Sequence, residues 1–190
     1  MQVAGGDTPL GPFFVVWDGG LLQSGFGPPP PGPGGPEART LLRALEAYLE
    51  GGPWPRVAPR SFGEGFFAEV WRILFATRPG EVLTYAELAA RAGRPRAARA
   101  VGQAMAKNPW PLFVPCHRVI RADGRLGAYG PGAWRKAALL LLEAGEPDLK
   151  ARLPRLRAHP DLAAVRLGDL LGDGEPEPLP PAGPLDVALE

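Results

Sequence analysis

The chain has 190 residues, of which 45% are hydrophobic, so it can bury a substantial core. Its 26 glycines and 25 prolines reach a level at which unpacked stretches are expected, and no apolar run is long enough to cross a membrane. One cysteine and two histidines exclude a disulfide framework and an ordinary Cys/His zinc site. Residues 1–12 lack the basic-then-apolar order of a signal peptide, so we expect a cytoplasmic protein.

The net charge of +1 hides an uneven distribution along the chain. Residues 72–136 carry twelve Arg and Lys against three acidic residues, whereas residues 1–71 and 137–190 are both net acidic. A GC-rich genome would explain why Arg exceeds Lys, but it does not explain why the acidic residues avoid the middle. A basic middle is typical of proteins that bind a polyanion such as nucleic acid.

The first third of the chain predicts a hairpin followed by one helix. Residues 8–26 hold an apolar run, the turn at 18–20 and a second short run. Residues 28–36 are a stiff Pro/Gly connector, and residues 37–50 place leucines at helical spacing. A Pro/Gly-rich link at 53–65 then indicates a domain boundary.

Two short helices and a tight turn are predicted in the basic region. After an apolar helical stripe from Phe66 to Phe75, Thr84 and Glu87 form a capping-box pattern that begins a helix at 85–92. A turn at 93–95 leads into a second helix at 96–107, which makes the pair a helix-turn-helix candidate. The second helix carries arginines among small residues, which let a helix backbone approach a surface closely: Arg96 and Arg99 with Ala97, Ala98, Ala100 and Gly102.

The last third holds the single cysteine. A buried-strand pattern at 112–114 precedes the sequence PCHRVI, and a Gly-rich loop at 126–132 leads to a final helix at 134–144. Beyond residue 147 the chain is acidic and Pro-rich, with a weak helical pattern at 149–157 and 162–171. We expect this tail to be largely disordered, above all at 175–184, and its removal from residue 151 to cost little stability.

Cys116 is a candidate nucleophile because a thiol reacts as thiolate, which needs a nearby base or positive field. His117 is adjacent and Glu143 is a candidate third member of a nucleophile–base–orienter set. The alternatives remain that Cys116 is a small buried hydrophobe, that the Cys–His adjacency is chance, and that Glu143 is an exposed helix residue. His159 has the features of a solvated residue.

An ordered set of motifs runs through the chain: FAEVW, TYAELA, ARAVGQAM, NP, PCHRV, the Tyr129 loop and Glu143. This set resembles that of the O6-alkylguanine-DNA alkyltransferases, also called methylated-DNA–protein-cysteine methyltransferases. The resemblance runs from about residue 66 to 145. It implies a mixed fold: an α/β, ribonuclease-H-like domain at 1–62, and a mainly α, winged helix-turn-helix-like catalytic domain at 63–147. The disordered tail at 148–190 has no counterpart in the family.

The resemblance also implies a role for each matching residue. Cys116 accepts the alkyl group, His117 takes its proton through a water molecule, and Glu143 orients His117. Tyr85 assists the leaving guanine or moves the DNA phosphate, and Asn108 braces the cysteine segment. Arg99 fills the base stack that the flipped nucleotide leaves, and the small residues beside it fit the minor groove. The guanine pocket is formed by Arg118, Val119, Tyr129, Gly130, Pro131 and Lys136.

The implied function is direct repair of O6-alkylguanine, with O4-alkylthymine as a further candidate substrate, in a single irreversible transfer to Cys116. We expect double-stranded DNA as partner, no cofactor or metal, no membrane, and a monomer acting on the nucleoid of a prokaryote. Pro131 stands where relatives often carry a smaller residue, which would stiffen the loop against bulky alkyl groups. Three alternatives are a non-enzymatic lesion sensor, which would lack the cysteine, a plain helix-turn-helix regulator, and a cysteine hydrolase.

Overall fold

The computed structural model describes residues 1–146 and 149–172, and it begins with a three-stranded antiparallel sheet in the order β1-β2-β3. The strands are β1 (Gln2–Thr8), β2 (Gly11–Trp17) and β3 (Leu21–Phe26). The predicted hairpin is confirmed as β2 and β3, joined where Gly19 and Gly20 adopt positive φ. The prediction missed β1, because its sequence QVAGGDT lacks the β-branched and aromatic run that marks a strand.

Helix α1 (Pro36–Leu49) covers one face of this sheet. Its leucines recur at helical spacing and are buried, together with Tyr48 near the end of the helix. The chain leaves the helix through Gly51, whose φ of +96° suits glycine. The sheet and α1 make the N-terminal part a mixed α/β unit, and its ribonuclease-H-like topology stays a prediction.

Three helices follow: α2 (Gly65–Ala76), α3 (Tyr85–Arg91) and α4 (Ala98–Ala106). The capping box is confirmed, since the Thr84 side chain accepts from Glu87 N–H and the Glu87 carboxylate accepts from Thr84 N–H. The predicted second helix began too early, at residue 96. Pro95 lies in a turn closed by the hydrogen bond from Ala97 N–H to Arg94 O, so Arg96 and Ala97 precede α4.

An aromatic cluster joins the link at 53–65 to the rest of the molecule. The rings of Phe62, Trp71 and Trp110 meet edge to face at 5.3–5.8 Å, and Trp54 Nε1 donates to Leu112 O at 2.9 Å. The buried apolar residues of both parts form one continuous core. The division into domains at 62/63 therefore stays a prediction.

The cysteine segment forms a single turn of 3-10 helix, Cys116–Arg118, followed by β5 (Val119–Ile120), which pairs in parallel with β4 (Leu83–Thr84). Helix α5 (Ala133–Glu143) comes next and is buried along most of its length. Within the described ranges, no helix is both long and apolar enough to cross a membrane.

The expectation of a largely disordered tail is wrong for residues 149–172. They form α6 (Leu149–Ala158), a 3-10 turn (Leu162–Ala164) and α7 (Leu167–Leu171), all packed on α5. Polar composition misled the prediction, because four well-spaced leucines are enough to bury one face of the segment: Leu153, Leu156, Leu162 and Leu170. Residues 147–148 and 173–190, which include the stretch at 175–184, lie outside the described residues.

Candidate active site

The Cys116 thiol is nearly buried, with 7% of the residue exposed. Asn108 Nδ2 donates to Cys116 Sγ at 3.1 Å and to Val114 O at 2.8 Å, while Asn108 Oδ1 accepts from Trp110 N–H. Burial raises the pKa of Cys116, although the Asn108 hydrogen bond and the positive charge of Lys136 act in the opposite direction. The thiol is therefore protonated at neutral pH and needs a base to react.

His117 has the geometry of such a base. Its Nε2 donates to Glu143 Oε1 at 3.0 Å, which fixes the tautomer because a carboxylate only accepts. Its Nδ1 is buried and has no hydrogen-bond partner among residues 1–146 and 149–172. Burial lowers the pKa of His117 although Glu143 raises it, so the imidazole is neutral and Nδ1 can accept a proton.

The Glu143 side chain is fully buried, contrary to the alternative of an exposed helix residue. Arg118 donates to both carboxylate oxygens at 2.7–3.1 Å, and Tyr48 Oη and Gly80 N–H donate at 2.6 and 3.1 Å. Burial would raise the pKa of Glu143, but His117 and Arg118 hold it well below its usual range. Glu143 is therefore a fixed negative charge behind His117.

Sequence reasoning missed Tyr48, Thr77 and Gly80 as parts of this site. Thr77 accepts from Arg118 Nη1 through both its carbonyl and its hydroxyl, so the Arg118 guanidinium is bound by Thr77 and Glu143, and its place in the guanine pocket stays a prediction. The sequence does carry one signal that could have identified Tyr48, which is its position on the leucine face of α1. A buried hydroxyl needs a partner, and here the partner is 95 residues away in the chain.

Lys136 is also buried, with 1% of the residue exposed. Its Nζ donates to Val119 O and to Leu126 O, both at 2.5 Å, so it ties the cysteine segment to the loop that follows. Burial lowers the pKa of Lys136 to about 8, while a Cys116 thiolate raises it. Lys136 therefore supplies both a tether and a positive charge that favours the thiolate.

The loop at 126–132 carries three further residues of the predicted pocket, and one of them, Tyr129, interacts with Cys116. Tyr129 Oη is buried and faces the Cys116 side chain, and burial and the interaction with Cys116 raise the pKa of Tyr129 well above the usual value. Gly130 is exposed, whereas Pro131 is half-buried and its carbonyl accepts from Arg135 Nη1. Tyr85 is half-buried, and its pKa is raised by burial and by Cys116, so it keeps its proton.

The turn and helix α4 present the predicted DNA-binding residues. Arg96 and Arg99 are exposed, while Ala97, Ala98 and Ala100 are half-buried. A side chain at Gly102 would come within 4.0 Å of the Tyr85 ring, so this position lies next to the candidate site. No group of three or more potential metal ligands occurs in the part of the chain that the structure describes.

Comparison with known proteins identifies relatives of this chain. A family model described as the DNA-binding domain of 6-O-methylguanine DNA methyltransferase matches residues 65–145. The methylated-DNA–protein-cysteine methyltransferase of Rattus norvegicus is 43% identical over 127 residues, which cover 60% of this chain and 61% of that protein. The chain thus spans about three-fifths of the length of this mammalian relative.

Two mycobacterial proteins match over more of their length. The methylated-DNA–protein-cysteine methyltransferase of Mycobacterium leprae is 36% identical over 146 residues, 72% of this chain and 88% of that protein. The crystal structure of Mycobacterium tuberculosis OGT in complex with DNA superposes with a TM-score of 0.72 and 34% identity, covering 80% of this chain and 99% of that one. The chain belongs to the methylated-DNA–protein-cysteine methyltransferase family.

Proposed function

We propose that this protein repairs O6-alkylguanine in double-stranded DNA by moving the alkyl group to Cys116, once per molecule. One observation carries the proposal: the residue that follows the buried cysteine in the chain is a buried histidine whose Nε2 is held by Glu143 and whose Nδ1 is unpartnered in the described structure. A buried acceptor without a partner requires an explanation, and a proton-accepting role for the neighbouring cysteine supplies one.

The proposed reaction begins with loss of the Cys116 proton to His117 Nδ1 through a water molecule. The thiolate, favoured by Asn108 and Lys136, attacks the alkyl carbon, a carbon–sulfur bond forms and the carbon–O6 bond breaks. The electron pair of that bond leaves with guanine, which takes up a proton. Tyr85 holds a proton at neutral pH and is our candidate donor.

The alkyl carbon of a paired guanine lies inside the duplex, so the nucleotide has to leave the base stack before it can reach Cys116. We assign α4 and the preceding turn to the DNA, with Arg99 taking the vacated place in the stack. The small side chains of α4 suit a minor-groove approach, and binding of this kind depends little on sequence. That the protein is monomeric, cytoplasmic and prokaryotic stays a prediction, as does its activity on O4-alkylthymine.

The test is the intact mass of the protein after incubation with a duplex that carries O6-methylguanine. The wild-type chain should gain one methyl group, which peptide mapping places on Cys116. Cys116→Ala should gain none yet bind the same duplex, because affinity comes from the basic residues of the middle region. Transfer by Cys116→Ala would overturn the assignment, and binding without transfer by the wild-type chain would favour a lesion sensor.

A further inference from the structure

The C-terminal segment, residues 149–172, lies against the loop that carries the candidate pocket. The loop in question, residues 124–132, precedes α5 and contains Tyr129, and we call it the pocket loop. Three backbone hydrogen bonds of 2.9–3.0 Å join the segment to the start of this loop. They run from Leu126 N–H to Val165 O, from Gly127 N–H to Ala163 O, and from Leu167 N–H to Gly124 O.

These bonds hold the part of the loop that touches the reacting groups. Leu126, through its carbonyl, is one of the two acceptors of Lys136 Nζ. A side chain at Gly127 would come within 3.9 Å of Tyr85 Oη, and this residue has a φ of +71°. The C-terminal segment therefore bonds to the part of the loop backbone that lies nearest Tyr85 and Lys136.

A second connection holds the other end of the pocket loop. Arg157, at the end of α6, places its guanidinium 4.6 Å from the Trp134 ring and donates to Pro9 O at 2.5 Å. Arg135 also lies over the Trp134 ring, at 4.5 Å, and it donates to the carbonyl of Pro131. The C-terminal segment thus bonds directly to the start of the loop, and at its other end Arg157 shares the Trp134 ring with Arg135, which holds Pro131.

We propose that the C-terminal segment is a positioning element that sets the width of the alkyl pocket, and with it the preference between small and bulky alkyl groups. The proposal rests on the proposed function for its activity readout. A merely structural segment would change how much protein is folded. A positioning segment would change the relative rates at which folded molecules accept different alkyl groups.

Position 167 offers a matched pair of variants in the full-length chain. Leu167→Pro removes the N–H that donates to Gly124 O, whereas Leu167→Ala keeps it, and both lose the leucine side chain. Proline fits the backbone here because position 167 is the first residue of α7 and Arg166 before it has φ −79° and ψ 144°. The pair therefore differs chiefly in one hydrogen bond to the pocket loop.

The activity experiment compares transfer from O6-methylguanine and from O6-benzylguanine in the same duplex. Each rate constant is normalised to the plateau of transferred alkyl groups, so that unfolded protein does not enter it. We expect Leu167→Pro to raise the benzyl-to-methyl ratio about fivefold over Leu167→Ala, the factor that corresponds to a net ~1 kcal/mol for one hydrogen bond. Equal ratios in the two variants would overturn the proposal.

Amide hydrogen exchange of the DNA-free proteins gives a readout that does not need activity. Leu126 and Gly127 should lose protection in Leu167→Pro and keep it in Leu167→Ala. Unchanged protection in Leu167→Pro would show that the segment does not hold the loop. If the wild-type chain transferred no alkyl group, the proposed function would fail, and the exchange data would still decide whether the segment positions the loop.

Discussion

Glu143 accepts hydrogen bonds from four residues that belong to three separate parts of the chain. Tyr48 belongs to α1, Gly80 to the loop after α2, and His117 and Arg118 to the cysteine segment. A buried carboxylate is tolerated only when its charge and lone pairs are satisfied, as they are here. Glu143 thereby orients His117 and also joins α1 to the cysteine segment.

Glu143→Gln should impair both of these roles. Breaking a buried ion pair leaves Arg118 uncompensated, and we expect the free energy of unfolding to fall by about 3–5 kcal/mol at pH 7. Alkyl transfer by the remaining folded protein should slow at least tenfold, since one Gln amide cannot replace a carboxylate that His117 and Arg118 share. Urea unfolding and plateau-normalised rates measure the two effects.

The free energy of unfolding of the wild type exceeds that of Glu143→Gln by an amount, here called the gap, that should decrease only in acid. The pKa of Glu143 is depressed in the folded state, so its ionisation stabilises the fold fully above the ordinary glutamate pKa of about 4.5. The gap should stay constant from pH 8 to about 5 and narrow as the pH falls below about 4.5. Glu69→Gln, at an exposed carboxylate, is the control, and a gap that widened in acid would contradict the argument.

At the residue scale, the local sequence was sufficient to predict Cys116, His117 and Asn108 as candidate site residues, but not to predict the contacts that support them. The first three lie within ten residues, where one motif specifies them. Tyr48 and Thr77 reach the site only through the packing of α1 and α2, over separations of 95 and 41 residues. A single sequence does not show which distant polar side chain satisfies a buried charge.

At the scale of elements, the periodic segments were predictable and the ends were not. Helices α1, α2, α3 and α5 follow apolar spacing or a capping box, and the structure agrees with their predicted positions to within one or two residues. Strand β1 was missed, and the C-terminal segment was expected to be disordered despite its weak helical pattern, because both are stabilised by packing, against β2 and α5, rather than by local propensity.

The exposed arginines of the basic region allow a matched test of the DNA-binding prediction. Arg99→Ala and Arg96→Ala each remove one positive charge, so both should weaken duplex binding and make the salt dependence shallower by about one phosphate contact. At saturating duplex, only Arg99→Ala should slow repair of duplex DNA more than reaction with free O6-benzylguanine, because Arg99 is assigned to the vacated base stack. Equal losses on the two substrates in Arg99→Ala would argue against that role.

At the scale of the whole molecule, Cys116 is embedded in the continuous core that joins the N-terminal sheet to the helices. Segment 108–114 is held from the other side by β3, where Ser24 N–H donates to Pro109 O and Ser24 Oγ donates to Pro111 O. Trp110 Nε1 donates to Leu22 O in the same region. A change in volume at the thiol therefore affects packing well beyond the active site.

This connection leads to a prediction about the reacted protein. A thioether at Cys116 is a poor leaving group, so product should plateau at one alkyl group per chain. The added group has to displace Asn108 Nδ2, which lies 3.1 Å from the sulfur, or the buried hydroxyl of Tyr129. Overpacking of this kind costs roughly 1–3 kcal/mol, and the melting temperature of the alkylated protein should fall by roughly 2–10 °C.

Quantified product and thermal melting of the same sample check both parts of this prediction. Cys116→Ala incubated with the same methylated duplex, and wild-type protein incubated with unmodified duplex, control for effects of DNA binding on the melting temperature. More than one equivalent of product would show turnover and contradict the single-transfer reading. A single equivalent with an unchanged melting temperature would instead show that the core around Asn108 and Tyr129 absorbs the alkyl group without strain.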